Sequence, residues 1–174
     1  MKISLDHSLQ GSILDIGGGG EGVVGRVYGR QVIAIDNNQE ERDEAPDVCE
    51  KRLMDATALG FEAERFAHVT AFYAMMYMTA EEQRKAIREA FRVLKPGGLL
   101  HIWDTVIRCA YPAPFVVELD INADGTMLRT SYGVVKMDSQ DAELLIGMGR
   151  EAGMALVSKS LCDDQFYLVF SKAG

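Results

Sequence analysis

A glycine-rich loop near the start of the chain limits the folds that this sequence can adopt. Residues 17–20 are four consecutive glycines, and Gly22 lies just beyond them. The loop separates an apolar run at residues 12–16 from a short helical pattern at residues 23–28. Glycine permits positive φ and a close approach of backbone amides to a ligand, and a helix N-terminus favours an anionic group. A strand, a glycine loop and a helix in this order predict a ligand-binding turn in an α/β fold.

A carboxylate follows the loop at an informative distance. Gly17, Gly19 and Gly22 fit the spacing GxGxxG, and Asp36 comes 19 residues after Gly17, at the end of a second apolar run. The glycines alone would also fit a plain tight turn. A carboxylate at the end of the second strand can accept hydrogen bonds from both hydroxyls of a ribose. The combination therefore predicts a cofactor that contains a nucleoside, and NAD remains open at this point.

The remaining strands and helices alternate along the first two thirds of the chain. Further short apolar strands are predicted at residues 52–54, 69–72 and 99–103. Between the last two, Thr79 and Glu82 form a capping box for a helix that is expected to end at Pro96. Nearly continuous apolar strands that alternate with helices are typical of a doubly wound parallel sheet covered on both faces.

The last third of the chain has a different pattern. Apolar and polar residues alternate from residue 117 to 121, and the Asp-Gly pair at residues 124–125 predicts a type I′ turn. This turn pairs Asp120 with Arg129 across a β-hairpin at about residues 115–135. Because an isolated hairpin is marginally stable, its apolar face is expected to form a lid over the acceptor site or a homodimer contact. A helix at residues 139–152 and two antiparallel strands at 155–161 and 165–171 are expected to follow.

Composition excludes several classes of function. The 174 residues predict a single domain, residues 1–174. Lys plus Arg total 18 against 26 for Asp plus Glu, and this formal charge of -8 disfavours nucleic acid and anionic membranes as partners. Cys49, Cys109 and Cys162 lie far apart and include no CxxC pair, so no metal site and no disulfide framework are predicted. We therefore expect a cytoplasmic protein without a membrane segment.

Four segments together resemble the class I S-adenosylmethionine-dependent methyltransferases. They are residues 14–22 (LDIGGGGEG), 32–36 (VIAID), 54–56 (MDA) and 91–98 (FRVLKPGG). The resemblance extends from about residue 13 to residue 104. It implies S-adenosylmethionine as cofactor, methyl transfer as activity, and a Rossmann-like, mainly parallel seven-stranded sheet with an antiparallel last strand. The hairpin would be an insertion after the fifth strand of that sheet.

The resemblance also implies a role for individual residues at the ends of the strands. The cofactor-binding set is Asp15, Gly17 and Gly19 at the methionine end, Asp36 at the ribose, Asp55 and Ala56 at the adenine, and Ala71 and Phe72 beside the sulfonium. The chain departs from the family at Glu21, where a glycine commonly ends the first motif, and at Asn37, where an apolar residue often contacts the adenine.

The methyl acceptor is not specified by these motifs. Tyr73 and Tyr77 could contact an acceptor or simply pack a turn, and Asp104 could orient an acceptor or cap the end of its strand. Nucleic-acid amino methyltransferases tend to carry an Asn/Asp-Pro-Pro-aromatic motif after the fourth strand, and no proline occurs there in this chain. The sequence therefore favours a small-molecule acceptor, with a protein as the alternative, and it does not identify a catalytic base.

Two other functions remain open. A module that binds S-adenosylmethionine without transferring its methyl group is compatible with the lack of an obvious base. An NAD-binding oxidoreductase could use a Tyr-x-x-x-Lys pair, and Tyr132 and Lys136 have that spacing. The pair lies in a predicted strand, however, where residues four apart do not meet as they would on a helix.

Overall fold

The structure is a computed structural model that describes residues 2–108 and 111–174. Within these residues the chain forms ten strands and four α-helices, with 3₁₀ turns at Gly29–Gln31 and Met75–Tyr77. In chain order they are β1 (Lys2–Leu5), β2 (Ile13–Ile16), α1 (Val23–Tyr28), β3 (Val32–Asp36), α2 (Gln39–Glu44), β4 (Glu50–Leu53), β5 (Phe66–Phe72), α3 (Ala80–Val93), β6 (Leu94–Thr105), β7 (Phe115–Ala123), β8 (Thr126–Val134), α4 (Ala142–Glu151), β9 (Met154–Cys162) and β10 (Gln165–Lys172).

The main layer is a mixed sheet with the strand order β4-β3-β2-β5-β6-β10-β9. Strands β2 to β6 are parallel to one another, whereas β10 is antiparallel to both β6 and β9. One apolar cluster packs this sheet against α3 and α4, and a second packs it against α1 and the β7–β8 hairpin. The α/β class that was predicted from the sequence is confirmed, and the carboxyl ends of the parallel strands all lie at one edge.

Helix α3 begins where its capping box predicts and ends earlier than expected. The Thr79 hydroxyl accepts from the Glu82 backbone N–H, and the Glu82 carboxylate accepts from the Thr79 N–H. The helix stops at Val93, and Leu94 already has an extended backbone with ψ 136. Proline disfavours helical geometry in the residue before it, so Pro96 ends the helix upstream of itself and residues 94–98 join β6.

The hairpin belongs to a second, three-stranded sheet with the order β1-β7-β8. Its register is the predicted one, since Asp120 lies opposite Arg129 and their side chains form an ion pair of 2.8 Å. Strand β1 pairs in parallel with β7 and was not predicted from the sequence. Its alternate residues Ile3 and Leu5 are buried, which explains why so short a segment is extended.

The apolar face of the hairpin packs against its own chain. Leu119 and Ile121 are buried in the cluster that also contains Val24 and Val27 of α1. Part of this face is therefore packed against α1 of the same chain, whereas Tyr132, on the same face, lines the cleft described below. A lid over the acceptor site or a homodimer contact stays a prediction.

The described residues contain no helix that is both long and apolar enough to cross a bilayer. Within the same residues no group of three or more His, Cys, Asp or Glu side chains could hold a metal ion. Cys49 and Cys162 are unpaired thiols, and Cys109 lies outside the described residues.

Candidate functional site

A cleft of about 770 Å³ opens at the carboxyl ends of the parallel strands. Open α/β sheets bind their ligands at this edge. The structure brings most of the predicted site residues together in its wall: Gly17, Gly19, Asp36, Asp55, Ala56, Phe72, Tyr73 and Tyr77. Residues 131–133 of β8 form a further part of the wall, so the hairpin contributes to the same cavity.

The glycine loop is held tightly against the ends of β3 and β5. The backbone N–H groups of Gly17 and Gly18 both donate to the Ile35 carbonyl, at 2.9 and 3.0 Å. Gly17 has a positive φ of 69°, and a Cβ added there would lie 2.6 Å from the Ala74 Cβ. Only glycine fits this position, because a side chain would be strained and would collide with the neighbouring turn.

Asp36 is fixed at the rim of the cleft by two backbone amides. Its Oδ2 accepts from the Gly19 N–H at 3.2 Å, and its Oδ1 accepts from the Asn38 N–H at 2.8 Å. An ionised carboxylate offers about four lone-pair sites. Asp36 can therefore accept further hydrogen bonds from a bound ligand without losing the contacts that orient it.

Asp55 begins a turn directly after β4. Its Oδ1 accepts from the Thr57 N–H at 2.8 Å, and its carbonyl accepts from the Ala58 N–H at 3.2 Å. This local turn, in which the aspartate side chain bonds the backbone two residues on, is common at such positions. It holds Asp55 and Ala56 in the wall, where they can contact a ring bound beside Asp36.

Aromatic rings line the cleft beyond the end of β5. Tyr73 has a positive φ of 51°, which is uncommon for a residue with a bulky side chain. Its hydroxyl donates to Gln165 Oε1 at 2.7 Å, and its ring stacks on that of Tyr132 with centroids 5.5 Å apart. The strained backbone of Tyr73 is of a kind that persists where surrounding contacts determine it, and it is common at functional sites. Tyr77, in contrast, is 52% exposed and lies at the mouth of the cleft.

Several wall residues were not predicted from the sequence. Glu21 accepts hydrogen bonds from the hydroxyls of Thr130 and Tyr132, the latter at 3.1 Å, so it connects the glycine loop to the hairpin. Glu41 and Glu44 of α2 also line the cleft. The departure from the family motif at Glu21 was the only sequence signal for this connection, because its partners lie more than a hundred residues away.

Three predicted site residues lie outside the wall of the cleft. Asp15 and Ala71 are buried beneath it, and Asp15 accepts from the Thr70 hydroxyl at 2.7 Å. Asp15 lies beneath the loop and supports it from below, so any role at the cofactor would be indirect. A Cβ added to Gly18 would lie 2.5 Å from its Oδ2. Ala71 packs in the core behind Phe72 and presents no surface to a ligand.

Asp104 is also buried, and its contacts fit the second of its two predicted roles, that of capping a turn. It is 0% exposed and accepts from the Met76 N–H at 3.1 Å and from Gln140 Nε2 at 2.7 Å. Burial raises the pKa of Asp104 to about 6, although these hydrogen bonds oppose the shift. Its role is to hold the 3₁₀ turn Met75–Tyr77, which carries Tyr77 to the mouth.

Comparison with known families decides what kind of protein this site belongs to. The profile of the family described as "Methyltransferase domain" matches residues 14–102, which is just over half of the chain. The chain belongs to this methyltransferase family. No curated protein sequence matches it significantly.

Solved structures show that the chain shares their fold. The methyltransferase has a TM-score of 0.66 and 18% identity to a SAM-dependent methyltransferase from Methanosarcina mazei, over 95% of this chain and 94% of that one. The PH0226 protein from Pyrococcus horikoshii gives a TM-score of 0.69 and 16% identity, over 95% of this chain and 84% of that one. A putative methyltransferase of Haloferax volcanii, in complex with the Trm112 methyltransferase activator, gives a TM-score of 0.67 and 16% identity, over 96% of this chain and 85% of that one.

The methyltransferase is thus an enzyme, and its cofactor is S-adenosylmethionine. The comparisons give no support to an NAD-binding oxidoreductase or to a regulatory module without transfer activity. Asp36, Asp55 and the glycine loop form a cleft whose residue types fit a nucleoside-containing cofactor of this kind.

Buried Asp15 makes the stability of the methyltransferase depend on pH. Burial raises its pKa from 3.8 to about 7, with a further contribution from Asp36, while the Thr70 hydrogen bond opposes the shift. A carboxyl with a raised folded-state pKa stabilises the fold below its unfolded pKa and loses that contribution as pH rises through the folded value. We expect the free energy of unfolding to fall by on the order of 2 kcal/mol from about pH 5 to about pH 7.5.

Denaturant titrations of the protein and of Asp15→Asn across this pH range measure the effect. The asparagine can still accept the Thr70 hydrogen bond and cannot ionise, so the variant should show a shallower slope. Asp163→Asn, in an exposed turn with positive φ, is the matched control and should keep the original slope. A wild-type stability that rises over this range would contradict the prediction.

Proposed function

We propose that the enzyme transfers the methyl group of S-adenosylmethionine to a small molecule that binds beside the aromatic wall. The observation that carries this proposal is one cleft of about 770 Å³ with two kinds of wall. Asp36 and Asp55 suit a nucleoside, while the aromatic rings in the wall suit a second ligand: Phe72, Tyr73, Tyr77 and Tyr132. The volume lies within the range of small-molecule sites, which is roughly 300–1,000 Å³.

The proposed cofactor contacts follow from the positions in the wall. Asp36 accepts from the ribose hydroxyls, Asp55 from the adenine amino group with Ala56 beside the ring, and Phe72 borders the sulfonium. Gly17 and Gly19 offer close backbone contacts to the methionine end. Asp15 and Ala71 act indirectly in this proposal, because both support the wall from the core.

The chain's contribution to catalysis is mainly alignment. S-adenosylmethionine supplies a methyl group already activated on a sulfonium, and correct orientation of two reactants can be worth several kcal/mol. Tyr73 is held by Gln165 and by stacking on Tyr132, and Tyr132 is held by Glu21. Rings fixed in this way can orient an acceptor against the methyl group, and the hairpin that carries Tyr132 helps to exclude water.

The cleft supports a small acceptor better than a nucleic acid. Among the described residues its wall contains no lysine, arginine or histidine, so it offers no cation to a phosphate backbone. A protein partner is compatible with the fold, since the Haloferax volcanii neighbour forms a complex with the Trm112 activator. A homodimer remains a prediction of the sequence.

The test uses S-adenosylmethionine with a radiolabelled methyl group and a protein-free metabolite extract. We expect calorimetric binding of S-adenosylmethionine, no binding of NADH, and transfer of the label to small molecules only when the extract is present. Label in added RNA or protein instead of the extract would contradict the small-molecule acceptor. Binding of NADH without binding of S-adenosylmethionine would contradict the proposed function.

A further inference from the structure

The cofactor cleft carries many negative charges and no compensating cations in its wall. Six carboxylates line the part of it that the structure describes, and no basic side chain does: Glu21, Asp36, Glu41, Glu44, Asp55 and Glu82. None of the six belongs to an ion pair among the described residues. The cleft is a ligand site on independent grounds, namely its volume, its glycine loop and the family match.

Glu41 shows how these charges concentrate at the glycine loop. The Gly20 N–H donates to the Glu41 carbonyl at 2.8 Å, and a Cβ added to Gly20 would lie 2.9 Å from Glu41 Oε2. Burial raises the pKa of Glu41, and the nearby carboxylates Asp36, Glu44 and Glu21 raise it further. The basic neighbours of α2 are engaged elsewhere, since Arg42 pairs with Asp43 and Lys51 with Asp47. Glu41 and Glu44 therefore face the cleft without an ion-pair partner among the described residues, and a cationic ligand would be attracted to them.

Aromatic rings in the same wall favour the same kind of ligand. The faces of tyrosine and phenylalanine attract organic cations, and aromatic pockets recognise alkylammonium groups. Tyr132 lies between Glu21, to which it donates a hydrogen bond, and Tyr73, on which it stacks. Tyr77 at the mouth has its pKa raised first by burial and in part by Glu41, Asp104 and Glu21, so it too is close to these charges. Carboxylates and rings thus meet where the acceptor is proposed to bind.

We propose, on the basis of the methyl transfer proposed above, that the acceptor is an amine. The amine enters as its ammonium ion and first gives one proton to water. The lone pair of the unprotonated nitrogen then forms the new N–C bond while the C–S bond breaks and sulfur takes its electron pair. Positive charge moves from sulfur to nitrogen, and a primary or secondary amine then loses a proton to water. The cleft holds a positive charge on sulfur before the step and on nitrogen after it. The carboxylates of the wall therefore stabilise both the reactants and the methylated product.

The alternative acceptors fit this field less well. A carboxylate or phosphate would enter against like charges, which disfavours binding. A phenol would have to ionise among carboxylates, which opposes the loss of its proton. An amine avoids the first difficulty, because it is never negatively charged and its ammonium form is attracted by the carboxylates on entry. It must also lose a proton before it attacks, but it becomes neutral and not anionic when it does so.

The first experiment uses the cofactor and two of its analogues, without an acceptor, to measure how strongly the carboxylates of the cleft favour a positive charge. S-adenosylhomocysteine has lost the sulfonium charge, and sinefungin replaces it by an amine cation. In calorimetry at low salt we expect S-adenosylmethionine and sinefungin to bind about tenfold more tightly than S-adenosylhomocysteine. Glu41→Gln should reduce this ratio of dissociation constants severalfold. Glu62 is an exposed residue outside the cleft wall, so Glu62→Gln should leave the ratio unchanged. A ratio of dissociation constants near one, or one that Glu41→Gln does not change, would overturn the inference.

The second experiment identifies the charge class of the acceptor. A metabolite extract is separated at neutral pH into fractions retained by cation exchange, retained by anion exchange and unretained, and each is incubated with methyl-labelled S-adenosylmethionine. We expect labelled product from the cation-exchange fraction. Label only from the other two fractions would overturn the amine. Label from no fraction, or failure of every cofactor ligand to bind, would instead contradict the proposed function.

Discussion

Replacing Asp36 by alanine is expected to weaken the binding of S-adenosylmethionine at least tenfold. The carboxylate is the acceptor proposed for the ribose hydroxyls, and charge-assisted hydrogen bonds are worth roughly 1.5–3 kcal/mol each. About 1.4 kcal/mol corresponds to a factor of ten in the dissociation constant. Loss of two such bonds would therefore exceed a tenfold effect. Titration calorimetry of the folded variant measures it.

The structure adds a stability effect to this prediction. Asp36 also accepts from the Gly19 and Asn38 N–H groups, so the alanine variant should lose some unfolding free energy in the absence of ligand. The unfolding transition is therefore measured alongside the affinity. Asp43→Ala removes an exposed carboxylate from α2, outside the wall of the cleft, and should bind normally. A folded Asp36→Ala protein with unchanged affinity would contradict the assignment of this residue to the ribose.

The parts of the site that could be predicted from the sequence are those that local chemistry determines. The glycine loop and Asp36 are fixed by their positions at the ends of short apolar strands. Asp55 forms a turn with Thr57, only two residues away, and the capping box of Thr79 spans a single helical turn. Each of these signals lies within a few residues, so a single sequence contains the information.

The errors concern contacts between distant segments. Asp104 lies one residue before the end of its strand at the ligand edge, but Gln140 reaches it from the loop before α4 and helps to bury it. The hairpin register followed from its turn, whereas its packing depends on β1, which lies more than a hundred residues earlier. The alternation of apolar and polar residues and the turn type determine the register of a hairpin. They do not determine which surface of the folded protein the hairpin packs against.

The link between Glu21 and the hairpin has the same origin. When only the neighbouring residues in the sequence are considered, a glutamate in the glycine loop indicates a weaker match to the family motif. In the folded chain the hydroxyls of Thr130 and Tyr132 make it the residue that joins the two walls of the cleft. The departure from the family motif therefore coincides with a contact between distant segments that only the folded chain shows.

Gly17→Ala should be the most damaging single substitution in the loop. Gly17 combines a positive φ of 69° with a Cβ position only 2.6 Å from the Ala74 Cβ. Left-handed backbone costs a residue with a side chain roughly 1–2 kcal/mol, and overpacking adds roughly 1–3 kcal/mol. We expect the free energy of unfolding to fall by about 2–4 kcal/mol. Because the loop must shift away from the turn after β5, S-adenosylmethionine binding should also fall by more than about tenfold.

Gly147→Ala provides a control with the same chemical change and the opposite expected sign. Gly147 lies inside α4, and a Cβ added there meets no atom within 4 Å. Alanine in an exposed helix interior is favoured over glycine by about 0.5–1 kcal/mol, so this variant should be more stable and should bind the cofactor normally. Denaturant unfolding and calorimetry of the two variants separate the loop effect from a general effect of added methyl groups. If Gly17→Ala is as stable and binds as tightly as Gly147→Ala, the loop does not require glycine at this position.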